Sequence, residues 1–312
     1  MKISEFSTGF LFMLLYEFKR VLKGSVSSYL WFAVLVYIAT YSLFAESYMQ
    51  SANTEAPLIT LEYGSEAMRM IILFFYSFVI SSAPGVLSGD VPSLAFPPEI
   101  GVMFFIIVPM ILGLIMISKF IMKKATVIIA REKEKKTLFI TVSSPQTRPA
   151  IYLCKFIAVF IIAIPMILYF YFITNWAFTG LFPLQTNLSG VVFKTAIGTA
   201  MLFTSIGMLV SVVRSTEEKA VKFGMKIVIL MAALTSLWIF IPVIELILNL
   251  TNNSTFFLMV LEKITYISPF TMDLMAANHP GLLADMFNIQ LIATVIFLVI
   301  GIVIFIRQDL EY

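Results

Sequence analysis

The stretch from Lys123 to Phe156 reads KKATVIIAREKEKKTLFITVSSPQTRPAIYLCKF and separates two long apolar runs. The run before it covers residues 101–121, and the run after it covers residues 153–173. A helix needs about 20 predominantly apolar residues to cross the hydrocarbon core of a bilayer. Both runs meet this length, so we predict two membrane-spanning helices joined by a charged loop, residues 122–152.

The same length criterion identifies further spans on both sides of this pair. Apolar runs of the required length lie at residues 28–45, 191–213, 226–248 and 289–306. Of the 312 residues, 60% are hydrophobic and only 12% are charged, whereas a soluble domain carries about 25% charged residues. We therefore predict an all-α membrane protein, a single transmembrane domain over residues 1–312 with six transmembrane helices.

Basic residues indicate the orientation of the spans, because Lys and Arg concentrate in cytoplasmic loops. Six spans with a cytoplasmic N-terminus leave only Arg69, Lys194 and Lys263 of the 21 basic residues on the outer side. A further apolar segment, residues 70–87, is interrupted by Ser, Pro and Gly, and counting it as a span would place the most basic loop outside. We expect a multi-pass plasma-membrane protein with both termini in the cytoplasm.

The segments outside the spans have distinct predicted roles. Within residues 1–24, the stretch Phe6–Lys23 is apolar but contains Glu17, Lys19, Arg20 and Lys23 near its end, which favours an amphipathic helix in the inner membrane interface. The alternative is the cytoplasmic part of a longer first helix. The outer loops are residues 46–100 and 249–288, and short helices within them are expected to cover the outer mouth of the bundle.

The charged loop contains a surface that we expect to contact another protein. Thr137, Leu138, Phe139 and Ile140 form a short patch, mainly apolar, that directly follows the charged residues 131–136. An apolar patch with a charged rim, held outside the bilayer, is typical of a protein contact. The alternative interpretation is a solvated loop beside anionic lipid.

The same loop carries a motif with defined spacing. It resembles the loop after the second span in permease subunits of ABC transporters of the second permease type, which typically reads E-x-E-x-G-T-L, then an apolar run, S-x-P-x-x-R, and a Lys that opens the next span. The matching residues are Glu132, Glu134, Thr137, Leu138, Ser143, Pro145, Arg148 and Lys155. Lys136 stands where the family has its Gly, which leaves the geometry of this turn open.

The resemblance implies a fold similar to the type-2 ABC exporters, with an N-terminal interfacial helix and six spans. It also implies that the loop is a coupling helix that contacts a separate ATPase subunit. The implied contact residues are Glu132, Glu134, Thr137, Leu138, Phe139, Ile140, Ser143, Pro145 and Arg148. The implied assembly has two permeases, as a homodimer or heterodimer, and two ATPase chains that bind ATP and Mg²⁺.

Two other classes of function are alternatives to an ATP-driven permease. A membrane-embedded enzyme needs nucleophiles, metal ligands or acid–base pairs in its spans, and this sequence has one Cys, Cys154, and one His, His279. The sequence also lacks the phosphate-binding motif G-x-x-x-x-G-K-[ST], since no Gly is followed by Lys. We therefore expect no enzyme activity and no cofactor in this chain. An ion-gradient-driven carrier or a channel remains the alternative function.

Overall fold

The computed structural model describes residues 3–37, 98–138, 142, 146–181, 188–250, 260, 263–278 and 282–308, and the regular structure in these ranges is entirely helical. The helices are α1 (Ile3–Leu22), α2 (Val26–Tyr37), α3 (Pro98–Glu134), α4 (Arg148–Leu181), α5 (Leu188–Val213), α6 (Glu217–Leu250), α7 (Pro269–Asn278) and α8 (Leu283–Arg307). The predicted all-α class is confirmed for this part of the chain.

Among the described residues, the helices α4, α5, α6 and α8 are long and apolar enough to cross a membrane. Their qualifying segments are Arg148–Asn175, Gly190–Val213, Glu217–Leu237 and Leu283–Arg307. Each segment exceeds the length that a hydrocarbon core requires, so the chain is a multi-pass membrane protein. The predicted spans at 153–173, 191–213, 226–248 and 289–306 lie inside these four helices.

The first two predicted spans are seen less completely. The span at 28–45 is described only to Tyr37, in α2, and the span at 101–121 lies within α3. α3 does not end at residue 121 but continues to Glu134, so the first part of the charged loop is helical. The apolar segment 70–87 and residues 38–97 as a whole lie outside the described residues. The six-span topology therefore stays a prediction.

A turn separates α1 from α2. Gly24 has a φ of 79°, a left-handed conformation that glycine adopts without steric strain, and the Ser25 N–H donates to the Leu22 carbonyl at 2.9 Å. α1 is thus a helix of its own and not the beginning of a longer first helix. Its location in the membrane interface stays a prediction.

α5 is the central helix of the bundle. Of its apolar segment, 72% is buried, compared with 22% for α6 and α8. α5 packs against α3, α4 and α8, and it approaches α3 closely at Gly207, where a Cβ atom would lie 2.6 Å from the Cβ of Ala125. Small residues permit such close packing between membrane helices. The outward face of α8, in contrast, exposes Ile292, Val295 and Val299, as a lipid-facing surface does.

The short helix α7 is packed inside the bundle. It contacts α3, α5, α6 and α8, and Ser268, Phe270 and Thr271 are fully buried at its start. Phe270 stacks on Phe203 of α5 with 5.3 Å between the ring centroids. The expectation of a short helix in the loop 249–288 agrees with this element, although α7 is buried among the spans.

Candidate coupling site

The end of α3 has a defined backbone geometry. The Thr137 N–H donates to the Glu132 carbonyl at 2.9 Å, and the Lys136 N–H donates to the Lys133 carbonyl at 3.0 Å. This pair of bonds is the Schellman motif, which places the residue after the helix in the left-handed region and favours Gly there. Lys136 has a φ of 55°. Lys136, which stands where the family's loop motif has Gly, therefore adopts a left-handed conformation that suits Gly.

Glu132 faces the interior of the protein. Its Oε1 atom accepts a hydrogen bond from Lys155 Nζ, on α4, at 2.7 Å and a second bond from the Arg20 guanidinium, on α1. Lys155 Nζ also donates to Glu17 Oε1, on α1, at 2.5 Å, and Arg20 forms an ion pair with Glu17 at 2.9 Å. These four residues form the ion cluster, which joins α1, α3 and α4.

The ion cluster is withdrawn from solvent. The Lys155 side chain is 0% exposed, and the side chains of Glu17 and Glu132 are 2% and 4% exposed. Two carboxylates face two cations, so the cluster is balanced in charge. Charge-assisted hydrogen bonds of this kind are shorter and stronger than neutral ones, but each buried ion also loses its hydration. Removal of one of the four groups therefore leaves a buried charge without its partner.

Glu134 and Arg131 connect the end of α3 to the beginning of α6. The Glu134 carboxylate accepts a hydrogen bond from the Glu217 N–H at 2.9 Å, where an anion stabilises the exposed amides of a helix N-terminus. The Arg131 guanidinium binds the Glu217 carboxylate through two bonds of 2.7 Å each. α6 is thus held at its first residue by both side chains.

Lys133 and Arg148 hold the carboxyl ends of two further helices. Lys133 Nζ donates to the Val212 carbonyl at the end of α5, and burial lowers the pKa of Lys133 to about 8. Arg148 Nη1 donates to the Ile306 carbonyl at the end of α8 at 2.6 Å. Gln308 Nε2 donates to the same Val212 carbonyl at 2.7 Å. Cations are favourable at helix C-termini, where carbonyl groups lack partners.

The structure separates the predicted contact residues into different environments. Glu132 and Leu138 are buried, at 3% and 4% exposure, whereas Glu134 and Thr137 are exposed. Arg148 is half-buried at the start of α4. The remaining predicted residues, Phe139, Ile140, Ser143 and Pro145, lie outside the described residues. That any of them touches a partner stays a prediction.

Sequence reasoning missed the two residues that α1 contributes. The sequence predicts Glu17 and Arg20 only as polar residues of an interfacial helix, yet Glu17 is 1% exposed. Two signals were available, the first being that Glu17 and Arg20 are three residues apart and so share one face of a helix. A carboxylate inside an otherwise apolar run also suggests a buried partner. Neither signal identifies that partner as Lys155.

Sequence comparison relates the chain to a known protein family. A sequence model of the family described as ABC-2 family transporter protein matches residues 10–310. The chain belongs to the ABC-2 transporter family. The matched residues include the whole ion cluster as well as Lys133 and Arg148. No individually curated protein matches the sequence significantly.

Family membership makes the protein the membrane component of an ABC transporter, and it implies an ABC ATPase as the partner.

Proposed function

We propose that this ABC-2 permease is the membrane subunit of an ATP-driven exporter, powered by a separate ATPase chain that binds the loop after α3. The proposed complex contains two permeases and two ATPases in the plasma membrane, with both permease termini in the cytoplasm. The supporting observation is the set of contacts made by residues 131–134 and by Arg148. Together they connect the end of α3 and the start of α4 to α1, α5, α6 and α8.

These contacts suggest how movement is transmitted. Residues 131–134 are consecutive, and together their side chains bind α1, α4, α5 and α6. A displacement of this segment therefore acts on the ends of several helices at once. α3 is 37 residues long and continues without interruption from the predicted span into the loop. A force applied at its end is therefore carried into the bundle by a rigid element together with its polar contacts.

The residues that remain exposed at the tip of α3 define the proposed contact surface. Lys135, Lys136 and Thr137 are exposed, while Glu132 is engaged in the ion cluster and Glu134 binds the start of α6. The tip therefore presents positive charge outward, and we expect an acidic rim around the ATPase groove that receives it. In this proposal Glu132 and Leu138 support the tip from inside.

Cross-linking tests the proposed contact. A photo-crosslinking amino acid at position 137 should capture the co-expressed ATPase, whereas the same amino acid at position 300 should not, because Ile300 is exposed on the apolar face of α8. Equal capture at both positions, or none at position 137 in a complex that hydrolyses ATP, would contradict the proposed surface.

The driving force is tested in sealed vesicles that contain the purified complex. Transport should require ATP and should persist after ion gradients are dissipated. Transport that follows an imposed ion gradient in the absence of ATP would instead support the alternative function, an ion-gradient-driven carrier or channel.

A further inference from the structure

A buried carboxyl group lies on α7, far from the coupling site. Asp273 is 1% exposed. The Thr199 hydroxyl, on α5, lies 2.5 Å from Asp273 Oδ2, and Gln290 Nε2, on α8, donates to Asp273 Oδ1 at 2.6 Å. Gln290 Nε2 also lies 3.4 Å from the Pro269 carbonyl. One carboxyl group therefore joins three helices.

The surroundings of Asp273 supply neutral groups. α7 packs against α3, α5, α6 and α8. α5 presents Thr199, α8 presents Gln290, and α6 presents Thr235, which bonds the start of α7 at Ser268 and Thr271. Among the described residues, no ion pair reaches Asp273 from any of these helices, and its hydrogen-bond partners there are Thr199 and Gln290.

The buried carboxylates of the ion cluster differ from Asp273 in the charge of their partners. There each buried carboxylate has a cation within 3 Å, whereas the partners of Asp273 among the described residues are two neutral groups. A buried carboxylate without a cation favours its protonated form. The two hydrogen bonds favour the ionised form, but burial outweighs them and raises the pKa of Asp273 to about 7.

The geometry also accommodates a proton. A hydroxyl group can donate or accept a hydrogen bond, so a protonated Oδ2 can donate to Thr199 Oγ1 across the same 2.5 Å. The protonated carboxyl then keeps both links, one to α5 through Oδ2 and one to α8 through Oδ1.

We propose that Asp273 is a proton-binding site that locks α7 between α5 and α8. The carboxyl group holds a proton while the helices are packed as they are here. When α7 moves away and water reaches Oδ2, the O–H bond breaks, the electron pair stays on the carboxylate and the proton passes to water. Acidic conditions therefore favour the packed arrangement. This site does not depend on the proposed ATPase coupling.

Infrared spectroscopy tests the protonation state directly. Spectra of the full-length chain in nanodiscs, recorded between pH 5 and pH 9, should contain a protonated-carboxyl band that is lost with a midpoint near pH 7. Asp273→Asn should remove that band. Asp285→Asn is the matched control, because Asp285 is exposed in the first turn of α8, and it should leave the band unchanged.

Two further outcomes decide the proposal. Thr199→Val removes the hydroxyl that favours the ionised form, so it should move the midpoint to higher pH, and it serves as the test if Asp273→Asn fails to fold. The proposal is overturned if no band between pH 5 and pH 9 depends on Asp273, or if Thr199→Val lowers the midpoint.

Thermal unfolding gives an independent measurement of the same site. The pKa of Asp273 is about 7 in the folded chain and 3.8 ordinarily, so the folded state retains a proton that the unfolded state loses. The contribution of Asp273 to stability should therefore fall as the pH rises from about 4 to about 7 and stay constant above that. Asp273→Asn lacks this dependence. The Tm of the variant minus that of wild type should therefore increase by a few degrees between pH 5 and pH 8. A constant or decreasing difference would contradict the site.

Discussion

Lys155 is a fully buried lysine whose amino group is shared by two carboxylates, Glu17 at 2.5 Å and Glu132 at 2.7 Å. Such a position is unfavourable for an isolated ammonium group, since burial removes its hydration. The second cation, Arg20, completes the charge balance from the half-exposed side of the cluster. The four residues hold together the ends of three helices at the point where the loop begins.

The substitution Lys155→Met should destabilise the protein by about 3 kcal/mol, because it leaves two buried carboxylates with only Arg20 as partner. Unfolding of the full-length chain in detergent measures the loss. Lys119→Met is the matched control, since Lys119 is exposed on α3 and should change little. Adding Glu132→Gln to Lys155→Met restores a balanced Arg20–Glu17 pair and should recover part of the loss. Equal stability of the two single variants would refute the role of the cluster.

Individual partners of this kind could not be predicted from the sequence. Lys155 and Glu132 were identified from motif spacing, but Glu17 is 138 residues from Lys155 and Arg20 is 112 residues from Glu132. Asp273 is similar, because one of three carboxylates in a long predicted loop has no local pattern that shows it to be buried. Only the packing of distant helices determines these environments.

At the scale of secondary structure, α3 is the element that departs most from expectation. It continues beyond its predicted membrane end to Glu134, and its continuation carries the contacts to the other helices. The Ser211 hydroxyl of α5 accepts hydrogen bonds from the Ile129 and Ala130 N–H groups, each at 2.9 Å. The continuation is therefore fixed to α5 along its length and does not project freely.

The helices α4, α5, α6 and α8 were predictable because an apolar run of membrane length is a local property of the sequence. The continuation of α3 was harder to predict, since alternating basic and acidic residues suit an exposed helix and a solvated loop alike. Contacts such as those of Arg131 and Glu134 with the start of α6 decide between the two, and those contacts are not visible in the sequence.

Lys136→Gly should stabilise the end of α3 by about 0.5–1 kcal/mol. A non-glycine residue in the left-handed region is strained by roughly 1–2 kcal/mol, and the greater freedom of Gly in the unfolded chain offsets part of this gain. Thermal unfolding measures the change. Lys135→Gly, one residue earlier and without a positive φ, should destabilise instead. A loss of stability in Lys136→Gly comparable to that in Lys135→Gly would contradict the Schellman geometry.

At the scale of the whole molecule, α5 connects the two polar sites. Its end at Val212 accepts hydrogen bonds from Lys133 and Gln308, and Thr199 reaches Asp273. These positions are 13 residues apart on one helix, which corresponds to about 20 Å. α5 is also the most buried of the four qualifying helices. A displacement at the coupling site is therefore positioned to act on the packing around α7.

We propose that residues 131–134 transmit ATP-driven movement to the ends of the other helices. The direct measurement is the distance between spin labels on cysteines introduced at positions 230 on α6 and 296 on α8, in the complex with the ATPase, before and after ATP. Both positions are exposed, and the native Cys154 is buried. With native residues at 131–134, we predict a change in this distance on ATP binding. With Arg131→Gln and Glu134→Gln combined, the complex should still form and bind ATP but the change should be lost. If ATP binding changes the label distance in that variant as much as with the native residues, residues 131–134 do not transmit the movement.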